Sequence, residues 1–348
     1  AQPLPLADFS SDELFYLPNL AQISTNGMKQ LLSVPASNQS FGLQAMTEEI
    51  HATFQIESIR SSRNSIRHIL NGYAPRNEEE SRIYGMKRGL DFIADRQNTI
   101  TEENLHQLYQ ISTGDYLPDE DRLLPDHFYR HDVVYVVGGE ESREGLPAQQ
   151  LPDAMKRLVD FANAKDGINE LHKAAILHLA FAHYHPYFDG NGRTARLLHL
   201  WYLVQQGYPA ALFTPFSRYI AESKAAYYKA YDRVEKNALI SGYTDVTPFL
   251  SYFCNEVYNR LQVDVIPPQA DLQVYQTALA NRKITEKERL LWEYVLSAYG
   301  TEEFTTKQLE KDFRNAAYAT IRTFVMKFHE MGLLAARKAG NRVYYKVR

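Results

Sequence analysis

The stretch that decides the fold is His183-Tyr-His-Pro-Tyr-Phe-Asp-Gly-Asn-Gly-Arg-Thr-Ala-Arg196. It places imidazole, carboxylate, glycine and arginine residues in one short turn. Apolar residues at helical spacing precede it from Leu171 to Phe181 and follow it from Thr194 to Gln205. The sequence therefore predicts a helix, a glycine-rich turn and a second helix. Glycines let main-chain N–H groups face an anion, and the second helix begins with its positive end at the same place, which is typical of a phosphate site.

The run from His185 to Arg196 resembles the signature of the Fic family, His-Pro-Phe-x-(Asp/Glu)-Gly-Asn-Gly-Arg-x-x-Arg. One aromatic residue differs, because Tyr187 stands where the family has Phe, and all the chemical positions match. The resemblance implies a mainly α fold, a Fic-type helical bundle with a β-hairpin flap. It also implies transfer of a nucleotide, usually AMP from ATP, to a Ser, Thr or Tyr hydroxyl of a protein target.

The residue types in this run suit that chemistry. His185 is the predicted general base, because an imidazole titrates near working pH and a hydroxyl attacks poorly until its proton is taken. Asp189 is the predicted hard oxygen ligand of Mg²⁺. The predicted phosphate-binding residues are Gly190, Asn191 and Gly192 through main-chain N–H groups, and Arg193 and Arg196 through guanidinium groups. By resemblance, Arg193 serves the β-phosphate and Arg196 the γ-phosphate, and Mg-pyrophosphate leaves after attack at the α-phosphorus.

Other motifs fit the same residues less well. The glycine pattern at 190–195 formally fits a dinucleotide fingerprint, but it follows a predicted helix and not a strand. His183, His185 and Asp189 resemble a phosphohydrolase metal triad, although no second His/Asp cluster at a matching spacing completes it. The chain contains no Gly-Lys-Ser/Thr of a P-loop. Taken alone, Asp189 is typical of a turn residue or a helix N-cap. His178 and His183 are predicted to be packing residues.

A second segment, Thr53-Phe-Gln-Ile-Glu57-Ser58, is similar to the inhibitory motif (Ser/Thr)-x-x-x-Glu-(Gly/Asn) of many Fic proteins. Ser58 departs from that motif. A helix predicted from near Met46 ends at this segment. If Glu57 reaches Arg196, its carboxylate occupies the place meant for the γ-phosphate. The alternative is a solvated helical glutamate. The motif favours self-inhibition by Glu57.

Composition describes an ordinary globular protein. The chain has 348 residues, 45% of them apolar, and a single cysteine, Cys254, so that no internal disulfide forms. A reducing compartment, the cytoplasm, is therefore favoured. No apolar run approaches the length of a membrane span, and no signal peptide is recognised. The chain begins Ala1-Gln2 without a methionine, which leaves a removed leader open.

The last part of the chain has a different charge and pattern. Residues 283–348 carry 13 basic and 8 acidic residues, whereas the rest carries 25 and 34. Three helices and a strand pair resemble a winged helix-turn-helix (α+β) domain. The predicted elements are helices Thr285–Tyr299, Thr305–Phe313 and Ala316–Met331 and strands Leu333–Ala336 and Arg342–Val347, with a turn at Lys338–Asn341.

Such a domain binds DNA or protein, and both partners stay open. The basic residues predicted to meet DNA phosphates are Arg314, Arg322, Lys327, Arg337, Lys338 and Arg342. Only Asn315 and Arg322 are suited to reading bases.

The predicted domains are an N-terminal helical extension at 1–99, a Fic core at 100–262, a linker at 263–282 around Val265-Ile-Pro-Pro268, and the winged helix at 283–348. The remaining predicted features are a helical pattern from Leu14 to Ile23, a loop from Ser33 to Ser40, helix Glu78–Ala94, a helix capped by Thr101, a β-rich flap Val133–Val137 with a turn at Gly138-Gly139, a helix near Pro152, and helices Ser223–Lys236 and Thr247–Leu261.

The sequence thus favours a self-inhibited, Mg²⁺-dependent protein adenylyltransferase that uses ATP. Two alternatives stay open. One is a DNA-binding regulator whose Fic core senses a nucleotide. The other is a Fic enzyme that transfers a different phospho-group, or that removes AMP with a water positioned by Glu57. A homodimer is expected only by analogy with relatives, and no membrane partner is expected.

Overall fold

Helices dominate this chain, as the sequence predicts. The computed structural model describes residues 1–6, 14–32, 43–136, 143–261, 269–281, 283–299, 302–340 and 342–348. No helix in these ranges is both long and apolar enough to cross a membrane.

The N-terminal part combines a small sheet with four helices. Its elements are β1 (Gln2–Leu4), β2 (Leu14–Tyr16), α1 (Thr25–Leu32), α2 (Leu43–Ile56), α3 (Arg63–Leu70) and α4 (Glu78–Ala94). The helix predicted from Leu14 to Ile23 is wrong. Strand β2 pairs antiparallel with β1 and parallel with a strand at 244–245, and Leu14 and Tyr16 face inward at the two-residue period of a strand. Long-range pairing therefore overrides the local pattern, and the predicted loop at 33–40 lies outside the described residues.

The central part carries the predicted helix pair. Its elements are α5 (Glu102–Ser112), β3 (Tyr135–Val136), β4 (Arg143–Glu144), α6 (Leu151–Asn163), α7 (Glu170–Tyr184), α8 (Asn191–Gln205), α9 (Phe216–Glu222), α10 (Lys224–Ser241), β5 (Thr244–Asp245) and α11 (Thr247–Tyr252). Strands β3 and β4 are antiparallel and form the predicted flap, of which Val137 and the turn at 138–139 lie outside the described residues. Segments of π-helix and 3₁₀-helix extend α11 from Phe253 to Arg260.

Helices α7 and α8 form the centre of the core. Nearly all of their side chains are buried, and Phe181 and Trp201 are fully so. A helix buried on all sides needs a shell of other elements around it, here α4, α5, α6 and α11. Each fully buried Leu or Phe side chain contributes about 1.5–3 kcal/mol. The turn between α7 and α8 is therefore held at both ends by a dense core.

The C-terminal part follows the predicted order of three helices and a hairpin. Its elements are α12 (Gln269–Ala280), α13 (Glu286–Ala298), α14 (Thr306–Phe313), α15 (Tyr318–Glu330), β6 (Leu334–Ala339) and β7 (Arg342–Val347). Thr285 and Glu288 form a capping box at the start of α13. Helix α12 occupies most of the segment that the sequence marks as a linker. Asn341, at the predicted hairpin turn, lies outside the described residues.

Two hydrophobic cores divide the described chain. The first runs from Leu4 to Leu261, so the N-terminal extension shares one core with the central helices. The second runs from Ala278 to Val347. The C-terminal part also touches the region of α2 and α3. The contacts are an ion pair of Arg67 with Glu302, a 2.9 Å hydrogen bond from the Tyr294 hydroxyl to Asn71, and the Arg314 guanidinium 3.2 Å from the ring centre of Tyr73.

Candidate functional site

His185 lies directly after the last residue of α7. Its main chain is left-handed (φ 53°), and its N–H donates to the Phe181 carbonyl at 3.1 Å. Its ring Nδ1 lies 3.2 Å from the Ala182 carbonyl. Because a carbonyl only accepts, we place the ring proton on Nδ1, and Nε2 then keeps a free lone pair. Burial, reinforced by the charges of Arg143 and Arg130, lowers the pKa of His185 to about 4. The imidazole is thus neutral at pH 7 and able to accept a proton.

The first turn of α8 presents main-chain donors to the same space. Gly190 precedes the helix in a left-handed conformation (φ 82°), and the first helical hydrogen bond runs from Thr194 N–H to the Gly190 carbonyl at 3.0 Å. The N–H groups of Asn191 and Gly192 therefore have no helical acceptor. The Asn191 side chain exchanges hydrogen bonds of 2.8 and 2.9 Å with the main chain of Tyr187, which closes the loop. Asn191 thus shapes the turn through its side chain and offers only its N–H to an anion.

Asp189 and Arg193 form an ion pair at the mouth of the turn. Arg193 Nη2 lies 2.9 Å from Asp189 Oδ2, and Gly190 N–H donates to Asp189 Oδ1 at 2.5 Å. Arg193 is buried, and its Nε–H has no acceptor among the described residues. An unpaired buried donor costs about 1–3 kcal/mol, so this N–H fits an oxygen of a bound anion.

Asp189 also suits the predicted metal. No group of three or more His, Cys, Asp or Glu side chains that could hold a metal ion occurs in the described part of the chain, so the metal triad of the phosphohydrolase interpretation is not assembled. Mg²⁺ typically takes one or two carboxylates together with substrate phosphates and water. The partly exposed carboxylate of Asp189, at the opening of a phosphate-type turn, fits that arrangement.

The structure brings Glu57 to Arg196. The Glu57 carboxylate pairs with Arg196 Nη2, and Arg196 Nε donates to the Thr53 hydroxyl at 2.7 Å. The side chain of Arg196 is 3% exposed and that of Glu57 29%, so this pair is largely shielded from water. A Cβ atom at Gly192 would collide with Glu57 Oε1. The carboxylate therefore lies directly above the first turn of α8.

A left-handed cap ends the helix that carries Glu57. Ile59 N–H donates to the Phe54 carbonyl at 2.9 Å, and Ser58 N–H donates to the Gln55 carbonyl at 3.2 Å, which is a Schellman motif. Ser58 takes the left-handed position (φ 58°), where glycine and asparagine are favoured. This explains why the inhibitory motif asks for Gly or Asn there. A carboxylate at a helix C terminus opposes the helix dipole, so Glu57 depends on Arg196 for stabilisation.

Sequence reasoning missed three polar residues of this region, of which Glu49 and Arg130 are buried and Arg143 is half-buried. Glu49 on α2 accepts hydrogen bonds from the main-chain N–H (2.9 Å) and hydroxyl of Ser217, and burial raises its pKa. It lies two helical turns before Glu57 and fastens α2 to α9. The only sequence signal for it is an acidic residue inside an apolar helical pattern. Arg130 and Arg143, which flank the flap, also escaped notice.

Several residues with predicted DNA contacts are engaged within the chain. Lys327 pairs with Glu288 at 2.7 Å, Arg337 pairs with Glu303 at 2.5 Å, and Arg314 stacks on a ring as described above. These contacts reduce the positive charge that the C-terminal part presents. DNA binding therefore stays a prediction from the sequence alone.

Comparison with known proteins places this site in a family. Residues 99–203 match the model of the Fic/DOC family. The chain is similar to proteins named protein adenylyltransferase Fic. The one from Drosophila willistoni is 30% identical over 144 residues, 39% of this chain and 26% of that protein. The one from Culex quinquefasciatus is 26% identical over 184 residues, 51% of this chain and 32% of that protein. The chain thus spans at most about a third of these relatives.

Two solved structures share the fold. A Fic family protein from Desulfovibrio desulfuricans G20 has a TM-score of 0.54 at 17% identity, covering 88% of this chain and 86% of that one. A Fic domain containing signaling protein from Bacteroides thetaiotaomicron VPI-5482 has a TM-score of 0.50 at 19% identity, covering 69% of this chain and 89% of that one. The motif, the helix pair and the family match agree that residues 99–203 of this chain form a Fic/DOC-type domain.

Proposed function

We propose that this chain transfers AMP from ATP to a hydroxyl of a protein target in the presence of Mg²⁺, and that Glu57 restrains the reaction. The observation that carries the proposal is the meeting of a neutral imidazole and an anion-binding helix start in one turn. A proton acceptor and a phosphate cradle that share a turn suit the attack of a hydroxyl on a phosphate. The relatives named protein adenylyltransferase support AMP as the group and protein as the target.

The phosphates of ATP would bind at the first turn of α8. The N–H groups of the turn would hold the α- and β-phosphates, and the unpaired Nε–H of Arg193 would donate to the β-phosphate. Arg196 would take the γ-phosphate once Glu57 has left. A bound Mg²⁺, held by Asp189 and by phosphate oxygens, would supply positive charge against the triphosphate.

His185 would move the proton. Its Nε2 takes the proton of the target hydroxyl while the hydroxyl oxygen forms a bond to the α-phosphorus. The bond from the α-phosphorus to the α,β-bridging oxygen breaks, and pyrophosphate leaves with that electron pair. The imidazolium then returns its proton to solvent. The Nδ1–H to Ala182 hydrogen bond holds the ring so that Nε2 faces outward throughout.

Glu57 would oppose the reaction by occupying the γ-phosphate position. Its carboxylate already satisfies Arg196, so ATP must displace a shielded ion pair before it binds in the reactive orientation. The exposed edge of the flap, where Tyr135 is 65% exposed, would receive an extended segment of the target by strand addition.

The test is a transfer assay with labelled ATP and Mg²⁺ on the intact chain, on Glu57→Gly, and on Glu57→Gly combined with His185→Ala. His127→Ala in the Glu57→Gly background is the matched control, because His127 is an exposed histidine outside the motif. Label from the α-phosphate, together with pyrophosphate release, is expected to rise about tenfold or more with Glu57→Gly and to vanish with His185→Ala.

Each other outcome has a defined meaning. Labelling from the γ-phosphate, and none from the α-phosphate, would show that the chain transfers phosphate and not AMP. Equal labelling by the intact chain and Glu57→Gly would reject the restraint by Glu57. Absence of both label and pyrophosphate in every variant, with a mixture of cellular proteins present as targets, would reject the proposed transfer. Faster loss of AMP from a labelled target with the intact chain than with Glu57→Gly would favour removal of AMP.

A further inference from the structure

We propose that Arg130 is a positioning residue for the base: its guanidinium binds the last carbonyls of α7 and fixes the orientation of His185 relative to the flap. This inference rests on the proposed function, since it treats His185 as the base. It concerns a residue outside the motif and outside the helix pair.

The geometry of Arg130 is that of a clamp on main-chain oxygens. Its Nε donates to the His185 carbonyl at 2.7 Å, and its Nη1 donates to the Asp132 carbonyl at 2.6 Å. Its Nη2 donates to the Leu146 carbonyl and, at 3.4 Å, to that of Tyr184. Its own N–H donates to the Pro186 carbonyl at 2.9 Å. One side chain thus joins the end of α7 to the segments that lead into β3 and out of β4.

A second arginine continues the same clamp. The Arg143 Nη1 donates to the His183 carbonyl at 3.1 Å, and its Nη2 lies 3.5 Å from the Ala182 carbonyl. The last carbonyls of a helix lack helical donors and carry the negative end of its dipole, so two cations capping four successive carbonyls stabilise this terminus. Arg143 is neutralised by Glu235 at 2.5 Å. Arg130 is 2% exposed, and its side chain donates to main-chain carbonyls, while the charge of Asp132 acts on it without a recorded ion pair among the described residues.

Burying a cation costs several kcal/mol unless its donors are satisfied, and here main-chain carbonyls satisfy them. The bonds of Arg130 act on the main chain next to the base. His185 holds a left-handed main chain that a histidine adopts rarely, and its carbonyl is the nearest acceptor of Arg130 Nε. Gly145 completes the arrangement. A Cβ atom there would lie 2.7 Å from Arg130 Nη2 and 3.1 Å from the His185 Cβ, so the flap packs directly on the clamp and the base.

Arg130 therefore acts in two ways. It holds the left-handed turn that aims Nε2 outward, and its fixed charge favours the neutral imidazole. Lysine keeps the charge but replaces a planar fork by a single ammonium group, so it cannot reach the carbonyls of Asp132, Leu146 and His185 together. Methionine keeps much of the side-chain volume and loses both the fork and the charge.

The experiment compares Arg130→Lys and Arg130→Met in the Glu57→Gly background. Arg122→Met is the matched control, because Arg122 also donates to a main-chain carbonyl, that of Leu117, which is not at the end of α7. AMP transfer gives kcat, the KM for ATP and the pH dependence of kcat. We expect kcat to fall about 100-fold with Met and less with Lys, within the range for a displaced general base. KM for ATP is expected to change less than twofold, since Arg130 contacts only the start of the turn, at His185 and Pro186, and not the phosphate-binding groups from Gly190 onward.

The pH profile separates positioning from a general loss of structure. Loss of the Arg130 charge raises the pKa of His185, so the acidic limb of kcat moves to higher pH with Met and stays in place with Lys. Unchanged kcat and an unchanged limb in folded Arg130→Met would overturn the proposal. So would an equal fall of kcat in Arg122→Met, or a rise of KM that matches the fall of kcat.

A readout without turnover keeps this inference distinct from the proposed function. If the Glu57→Gly parent transfers no AMP, the proposed function fails, and the titration of the His185 ring by NMR then tests the clamp alone. The ring signal is assigned by its loss in His185→Ala. An upward shift of the His185 pKa in Arg130→Met supports the clamp, and an identical titration curve rejects it. If Arg130→Met does not fold, a kcat of Arg130→Lys equal to that of the Glu57→Gly parent overturns the proposal.

Discussion

Under the proposed function, replacing Ser58 by glycine tests how α2 would release Glu57 from Arg196. Ser58 closes α2 in the left-handed region (φ 58°), and its side chain is exposed. The substitution therefore relieves backbone strain without removing a packed group. The two hydrogen bonds of the Schellman motif, from Ser58 and Ile59 to the helix carbonyls, stay available because they involve only the main chain.

The magnitude follows from the conformation. A left-handed residue other than glycine costs the folded state about 1–2 kcal/mol. Glycine also gives the unfolded chain more conformational entropy, which offsets part of the relief, so a net gain in stability of about 1 kcal/mol is expected. If Glu57 leaves Arg196 by unwinding the last turn of α2, this gain stabilises only the inhibited state. Because about 1.4 kcal/mol corresponds to a factor of ten, the active fraction falls about fivefold. The melting temperature rises by about 2 °C.

The assay is the initial rate of AMP transfer by the intact chain and by Ser58→Gly, alongside thermal unfolding. Ser58→Asn is the control, since asparagine also tolerates the left-handed region, and Ser58→Val should shift both readouts in the opposite sense. In the Glu57→Gly background, Ser58→Gly should raise the melting temperature and leave the rate unchanged. If Ser58→Gly raises the melting temperature of the chain that keeps Glu57 and leaves its rate unchanged, release by unwinding is refuted and movement of α2 as a rigid body is favoured.

Three further outcomes are expected. Because the pKa of His185 is lowered to about 4 and Glu57→Gly removes a charge that raises it, the rate of Glu57→Gly should be flat from pH 6 to 8 and fall only at about pH 4 or below, measured with constant Mg²⁺. Asp189→Asn should raise the Mg²⁺ concentration needed for half-maximal transfer, with chelation abolishing transfer in the parent. Gly190→Ala should destabilise the fold by about 1–3 kcal/mol, because φ is 82° and the new Cβ would strike Thr113. Gly167→Ala (φ 76°, no atom within 4 Å) should show the strain alone in the same unfolding measurement.

The sequence predicted the parts of the fold whose causes are local. Helix α4 begins and ends where the pattern places it, and Thr101 caps α5 through its hydroxyl. The turn between α7 and α8 was predicted because its glycines and its flanking apolar runs lie side by side in the chain. Strand β2 was not predicted, because its partners lie about ten residues before it and at the distant strand β5. Helix α12 was hidden by the Pro-Pro segment before it.

The candidate site divides in the same way. His185, Asp189, Arg193 and the turn glycines carry identifiable side-chain chemistry or backbone freedom at fixed spacing. The approach of Glu57 to Arg196 was predicted only through resemblance, because no spacing rule joins residues so far apart in the chain. The structure supplies the missing physical reason, a left-handed cap at Ser58 that directs Glu57 over the first turn of α8.

Arg130 belongs to a class of residue that motif reasoning cannot reach. An ion pair leaves a signal in two side chains, whereas the partners of Arg130 are main-chain carbonyls that every residue type provides. Any of the arginines in the chain could fill such a role, and only the folded structure shows which one meets the unpaired carbonyls of a helix end. The reacting groups can thus be predicted from their chemistry. The residues that orient them are found only from the folded structure. An arginine that binds main-chain carbonyls must itself keep its residue type, whereas the residues that provide the carbonyls can be of any type.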